Sequence, residues 1–211
     1  MRIHLAFGRA LLLAALLVIA APSLAARTVM VFGDSLSAAY NLSANEGWVH
    51  LIGERIDRSH LPWRVVNSSA TGETTAGGLR RLAEDLKRHK PAIVVLQLGA
   101  NDALRGQPVA AMRSNLEQMI RLARRARAEP VLVGMMIPPN YGIDYTREFR
   151  DMYASLAAQY KVPLVPFLLE GVADKPELFQ RDQLHPTAQA QARIADNVWP
   201  ALAPLLTQKP K

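Results

Sequence analysis

Serine, histidine and aspartate are the residue types from which proteins build an activated hydroxyl nucleophile. This chain carries Ser35 within Gly33-Asp34-Ser35-Leu36-Ser37 and the other two as Asp182-x-x-His185. A serine hydroxyl is a weak nucleophile until an imidazole takes its proton. The imidazole in turn needs a carboxylate to fix its tautomer and to stabilise its charged form. Such a set attacks acyl carbonyls, and the reaction also needs donors at the developing oxyanion, each typically worth about 10²–10³ in rate. Gly72, in Thr71-Gly72-Glu73, can present a backbone N–H where a side chain would block approach. Asn101, in Gly99-Ala100-Asn101-Asp102, offers a neutral side-chain amide.

Each of these residues also has a plainer use. A serine before a helix commonly caps it, a loop glycine commonly serves a turn, and Asn or an Asp–His pair commonly caps a helix start. Ser37 also departs from the Gly-x-Ser-x-Gly nucleophile elbow, which has glycine at that position. The remaining histidines are weaker bases: His4 lies in the N-terminal segment, His50 within an amphipathic helix, His60 before a turn and His89 at a helix C-terminus.

The elements that must carry these residues sharpen the reading. Runs rich in Val, Ile and Leu occur at 28–32, 63–66, 92–98, 131–135 and 162–167, each followed by a segment of helical period. Trp48, Leu51, Ile52 and Ile56 share one helical face, then Leu79, Leu82 and Leu86, then Met112, Leu116, Met119 and Ile120. Phe149, Met152, Tyr153, Leu156 and Tyr160 follow, and last Ile194, Val198, Trp199, Leu202 and Leu206. Repeated βα order with continuously apolar strands implies a parallel sheet buried on both faces, hence a three-layer α/β/α fold. The expected order is a flavodoxin-like five-stranded one. In such a sheet, residues just past the strand carboxyl ends converge on one crevice, and Ser35, Gly72, Asn101 and the Asp182–His185 pair each follow a strand pattern.

Length and composition set the remaining bounds. At 211 residues and 50 % apolar content the chain is expected to form one domain over 26–211, with no interior linker and a frayed tail from 207 to 211. Arg2 and Arg9 precede a 12-residue apolar run at 10–21, then Pro22 and Ser23-Leu24-Ala25-Ala26. This reads as a signal peptide over 1–25, cleaved near Ala25/Ala26, because a membrane span needs roughly 20 apolar residues. Loss of Arg2 and Arg9 lowers the formal charge from +7 to +5. Without cysteine the chain has neither a disulfide nor a lipid-modified thiol, and a periplasmic or secreted protein held together by packing is expected. The basic residues are spread over helices without interleaved aromatics, which argues against nucleic acid and leaves open a transient contact with anionic membrane surfaces.

Taken together, Gly33-Asp34-Ser35-Leu36-Ser37, Asn67-Ser68-Ser69-x-x-Gly72, Gly99-x-Asn101-Asp102 and Asp182-x-x-His185 resemble the four signature blocks of the SGNH, or GDSL, hydrolase superfamily, in order. Leu104-Arg105-Gly106 and Pro138-Pro139-Asn140-Tyr141-Gly142 make the chain look most like its periplasmic thioesterase I, lysophospholipase and arylesterase branch. The resemblance implies Ser35 as nucleophile, His185 as base and Asp182 as its partner. It places the Ser35 and Gly72 N–H groups and the Asn101 side chain in the oxyanion hole, and it requires no metal or cofactor. Ala100 stands where close relatives often have glycine. The loop 135–142 is expected to border an acyl groove, with Leu104, Ile137, Pro138 and Tyr141 binding substrate. The alternative for that loop is that Met135 to Ile137 complete a strand in the core. Small acyl esters, thioesters or lysolipids are the implied substrates, with a glycan or peptidoglycan O-acetyl esterase, and further off a non-catalytic lipid- or glycan-binding module, as the alternatives. A monomer is the default.

Overall fold

The computed structural model describes residues 26–208, so the expected signal segment 1–25 lies outside the described residues. Five strands, β1 (Arg27–Gly33), β2 (Trp63–Asn67), β3 (Ile93–Gln97), β4 (Glu129–Val133) and β5 (Leu164–Val165), form one parallel sheet in the order β2-β1-β3-β4-β5. That is the doubly wound order expected from the pattern. Helices α1 (Trp48–Arg58) and α6 (Ala188–Leu206) pack together on one side of the sheet. On the other side α2 (Thr75–His89), α4 (Val109–Arg125) and α5 (Ile143–Tyr160) pack in series, and the short α3 (Ala100–Leu104) follows β3.

The apolar faces read from the sequence supply the core. Trp48, Ile52 and Ile56 of α1, Leu82 of α2, Leu116 and Ile120 of α4, Phe149 and Leu156 of α5, and Ile194 and Val198 of α6 are all buried against the sheet or its neighbours. β3 is buried throughout, and β1 and β4 are buried except at their first residues. β2 departs from expectation: as an edge strand it is fully buried only at Trp63.

Two boundaries also shift, for reasons in the chain. β5 pairs at only two residues because Pro163 and Pro166 flank it and have no N–H for a ladder. β4 begins and ends two residues earlier than the apolar run suggested. Its end at Val133 leaves Met135, Met136 and Ile137 outside the sheet, on the edge where β1 and β3 also end.

Candidate active site

β1 ends at Gly33, and the chain enters a turn-rich loop instead of a helix. Asp34 organises that loop. Its Oδ1 accepts the Leu36 N–H at 3.0 Å, and its carbonyl accepts the N–H groups of Ser37 (3.2 Å) and Ala38 (2.9 Å). From the end of β3, Gln97 Oε1 accepts the Ser37 hydroxyl at 2.6 Å and the Asp34 N–H at 3.3 Å, while Trp48 Nε1 of α1 donates to the Leu36 carbonyl at 3.1 Å. Three elements thus fix the backbone around Ser35. Its N–H donates to no acceptor among the described residues.

Ser35 is therefore not a helix cap. Its buried hydroxyl lies 2.9 Å from His185 Nε2, and His185 Nδ1 lies 2.7 Å from Asp182 Oδ2. The pair does not cap α6 either, since Thr187 holds that position. A tight loop presents the pair. Phe179 and Pro186 form an antiparallel bridge at its base, Gln183 adopts φ +54°, and Asp182 Oδ1 accepts the N–H groups of Leu184 and His185 at 3.0 Å each. Gln180 Nε2 donates to the Tyr40 carbonyl at 2.9 Å, tying this loop to the one that carries Ser35, and the Tyr40 ring lies tilted against His185 with ring centroids 4.3 Å apart.

The backbone N–H of His185, together with its ring and the Leu184 N–H, holds the Asp182 carboxyl down at about 2. A carboxylate at Nδ1 keeps the proton there and leaves Nε2 as the acceptor for the Ser35 hydroxyl. Asp34 is shifted the other way: complete burial raises its carboxyl to about 6 against the opposing effects of Leu36, Gln97 and His185, and its Oδ2 has no hydrogen-bond partner. A carboxyl of that kind tolerates being neutral.

The third block supplies donors. Asn101 lies within α3, one residue past its start, and its Nδ2 donates one hydrogen to the Glu73 carbonyl at 3.0 Å, leaving the second for a ligand. Gly72, whose N–H also has no acceptor among the described residues, is needed for its backbone: φ is +76°, whereas a Cβ there would meet no protein atom within 4 Å. Arg81 of α2 braces this loop at both ends. Its Nε donates to Glu73 Oε2 (3.1 Å), one terminal nitrogen donates to the Ser68 carbonyl (2.9 Å), and the guanidinium lies 4.2 Å from the Phe32 ring. Asp102 joins α3 to α2 through the N–H and hydroxyl of Thr75, at 2.8 and 2.7 Å.

Beside Ser35 and His185 opens a cavity of about 480 Å³. Leu104, Ile137 and Pro138 line it together with Met135, Phe167, Leu169 and Phe179. Tyr141, expected among the substrate residues, does not. The chain carries it past the lining, where its hydroxyl donates to the Leu104 carbonyl at 3.3 Å. Sequence reading missed Tyr40, Arg81, Phe167, Leu169 and Phe179. Phe167 and Leu169 carried a signal, since they follow the fifth strand at the same edge, whereas nothing local marked Tyr40 or Arg81. A second cavity, about 430 Å³ between α1 and β2 beside His50, Asp57 and Arg64, contains none of Ser35, Asp182 and His185 in its lining.

The chain has relatives among known proteins. Residues 31–193 match the model of the GDSL-like lipase/acylhydrolase family. It is 46 % identical over 200 residues to the esterase TesA of Pseudomonas aeruginosa, covering 94 % of this chain and all of that protein. It is 41 % identical to thioesterase 1/protease 1/lysophospholipase L1 of Escherichia coli over 86 % of each chain. Among solved structures, the psychrotrophic esterase EstA from Pseudoalteromonas sp., inhibited by monoethylphosphonate, superposes with a TM-score of 0.81 at 37 % identity, covering 86 % of this chain and all of that one.

Proposed function

This chain belongs to the GDSL-like lipase/acylhydrolase family, and we propose that Ser35 is the nucleophile through which it works. It is a serine-type hydrolase of acyl esters and thioesters. The observation that carries the residue assignment is the continuous relay of Asp182, His185 and Ser35, at 2.7 and 2.9 Å, opening onto an apolar cavity.

In this reading His185 Nε2 takes the proton as Ser35 Oγ bonds to the acyl carbon, and Asp182 stabilises the resulting imidazolium. The carbonyl electrons move to oxygen, and the N–H groups of Ser35 and Gly72 and the Asn101 amide donate hydrogen bonds to the oxyanion. His185 then gives its proton to the departing alcohol or thiol. In the second half-reaction His185 takes a proton from water as the water oxygen bonds to the acyl carbon, the intermediate collapses by breaking the bond to Ser35 Oγ, and His185 returns the proton to Ser35 as the acid leaves.

The lining by Leu104, Ile137, Phe167, Leu169 and Phe179 supports medium or long acyl chains over acetyl. A site built for an acetylated glycan has no use for an apolar cavity of about 480 Å³. The apolar run at 10–21 and the small residues after it support export, with the mature domain spanning 26–211 in the periplasm or outside the cell. A fluorophosphonate probe followed by peptide mapping tests the assignment. Labelling confined to Ser35 is expected, and labelling elsewhere or none at all contradicts it.

A further inference from the structure

Large apolar side chains left in solvent are few in this protein, and they are not scattered. Among the described residues they are Met136, Tyr141, Ile143 and Leu184, and all four lie on the two segments that flank the active-site cavity. Met136 and Leu184 line the cavity and are 39 % and 44 % exposed. Tyr141 is fastened through its hydroxyl to the carbonyl of the lining residue Leu104. Ile143, the first residue of α5, is 76 % exposed. Apolar residues exposed singly are ordinary on any surface, but a set gathered at one opening marks an interaction site.

The loop from Met136 to Ile143 carries no charge. Beside the lining residues in the chain the charges balance, Arg105, Lys175 and Arg181 against Asp174, Glu177 and Asp182, and Arg147 is paired with Asp144 at 2.6 Å. The molecule as a whole is cationic, with a formal charge of +5 once Arg2 and Arg9 leave with the expected signal segment. A near-neutral apolar rim on a cationic body suits an anionic lipid surface. The long-range attraction comes from the body and falls with salt, and the contact itself is made by side chains that enter the headgroup boundary.

We propose that the rim formed by Met136, Tyr141, Ile143 and Leu184 is an interfacial docking surface that seats the protein on an anionic phospholipid surface with the cavity mouth facing the lipid. This deepens the esterase reading and rests on it for its purpose, because an acyl chain leaving a bilayer or micelle can then pass into the cavity without crossing water. The docking itself is independent of turnover.

The test is sedimentation of the purified protein, in the processed form the cell yields, with vesicles of equal parts phosphatidylcholine and phosphatidylglycerol or of phosphatidylcholine alone. Ile143→Ser is the variant, since Ile143 lines no part of the cavity and is largely in solvent. The wild-type protein is expected to sediment with the mixed vesicles, less so at high salt or with phosphatidylcholine alone. Ile143→Ser should weaken that partitioning about tenfold, as loss of one inserted apolar side chain requires. Its kcat/KM on a soluble p-nitrophenyl butyrate should be unchanged. Wild-type protein left in the supernatant, partitioning indifferent to Ile143→Ser, or equal binding to both vesicle types overturns the proposal. So does lipid-free self-association abolished by Ile143→Ser, which would make this rim an interface between copies. Vesicle binding by a protein inert toward the soluble ester would instead refute the esterase reading and leave the docking surface standing.

Discussion

Replacing Asp34 by asparagine should change how stability depends on pH. The carboxyl is 0 % exposed, Oδ2 has no partner, and burial raises its pKa from 3.8 to about 6. A shift of roughly 2 units at about 1.4 kcal/mol each corresponds to about 3 kcal/mol. Because the folded-state value lies above the unfolded one, the stability linked to the neutral carboxyl is fully present below pH 3.8 and is lost as pH rises through about 6. At pH 8 the wild-type protein bears the whole cost of a buried carboxylate. The amide oxygen of Asp34→Asn can still accept the Leu36 N–H, and its Nδ2 is left unpartnered at a cost of about 1–3 kcal/mol at every pH. Stability at a single pH therefore decides nothing, whereas the change with pH does. Relative to wild type, the variant should gain about 2–3 kcal/mol between pH 4 and pH 8, or about 4–12 °C in Tm for a chain of this size. Paired urea or thermal melts across that range read this directly. A stability difference constant to within about 0.5 kcal/mol would refute the reasoning.

Asn101→Ala should lower kcat by about 10²–10³ with a native-like melt, since it removes one oxyanion donor; a loss under tenfold in steady-state kinetics would place the oxyanion elsewhere. Gly99→Ala should destabilise by about 2–6 kcal/mol in denaturant melts, because φ is +121° and the new Cβ would lie 2.4 Å from the Tyr153 hydroxyl. Among p-nitrophenyl esters, kcat/KM should rise up to about fourfold per added methylene until the cavity is filled, the equivalent of about 0.8 kcal/mol per buried CH₂; a profile flat or falling from acetyl upward would favour the glycan O-acetyl esterase.

The continuous apolar strands and the helical period made the sheet and its order legible, because burial on two faces leaves a direct mark on composition. What the sequence hid was non-local. β2 reads like its neighbours but is an edge strand, and only the sheet order reveals that. Pro163 and Pro166 did foretell a short β5, had their missing N–H groups been weighed against the apolar run around them. In the site, the residue types of the four motifs single out Ser35, Gly72, Asn101, Asp182 and His185; Asp182 and His185 stand not at a strand end but on a loop well past β5, and the structure brings them and Ser35 into one hydrogen-bonded relay. Gly72 was singled out for closeness of approach, whereas its backbone angle is what requires glycine. Tyr141 was assigned to the groove from its loop, but a turn at residues 139–141 carries it beyond the lining. Tyr40 acts through His185, far away in sequence, and Arg81 reaches from α2 back to Glu73 and Ser68 of the preceding loop, so no motif marks either of them.

The most direct test of the account is the kcat/KM of the wild-type protein and of Ser35→Ala on p-nitrophenyl octanoate, with matched melting curves. Loss of about 10⁴–10⁶ in a folded Ser35→Ala protein is the expected result. Near-native turnover by that variant would contradict the assignment of Ser35 as nucleophile.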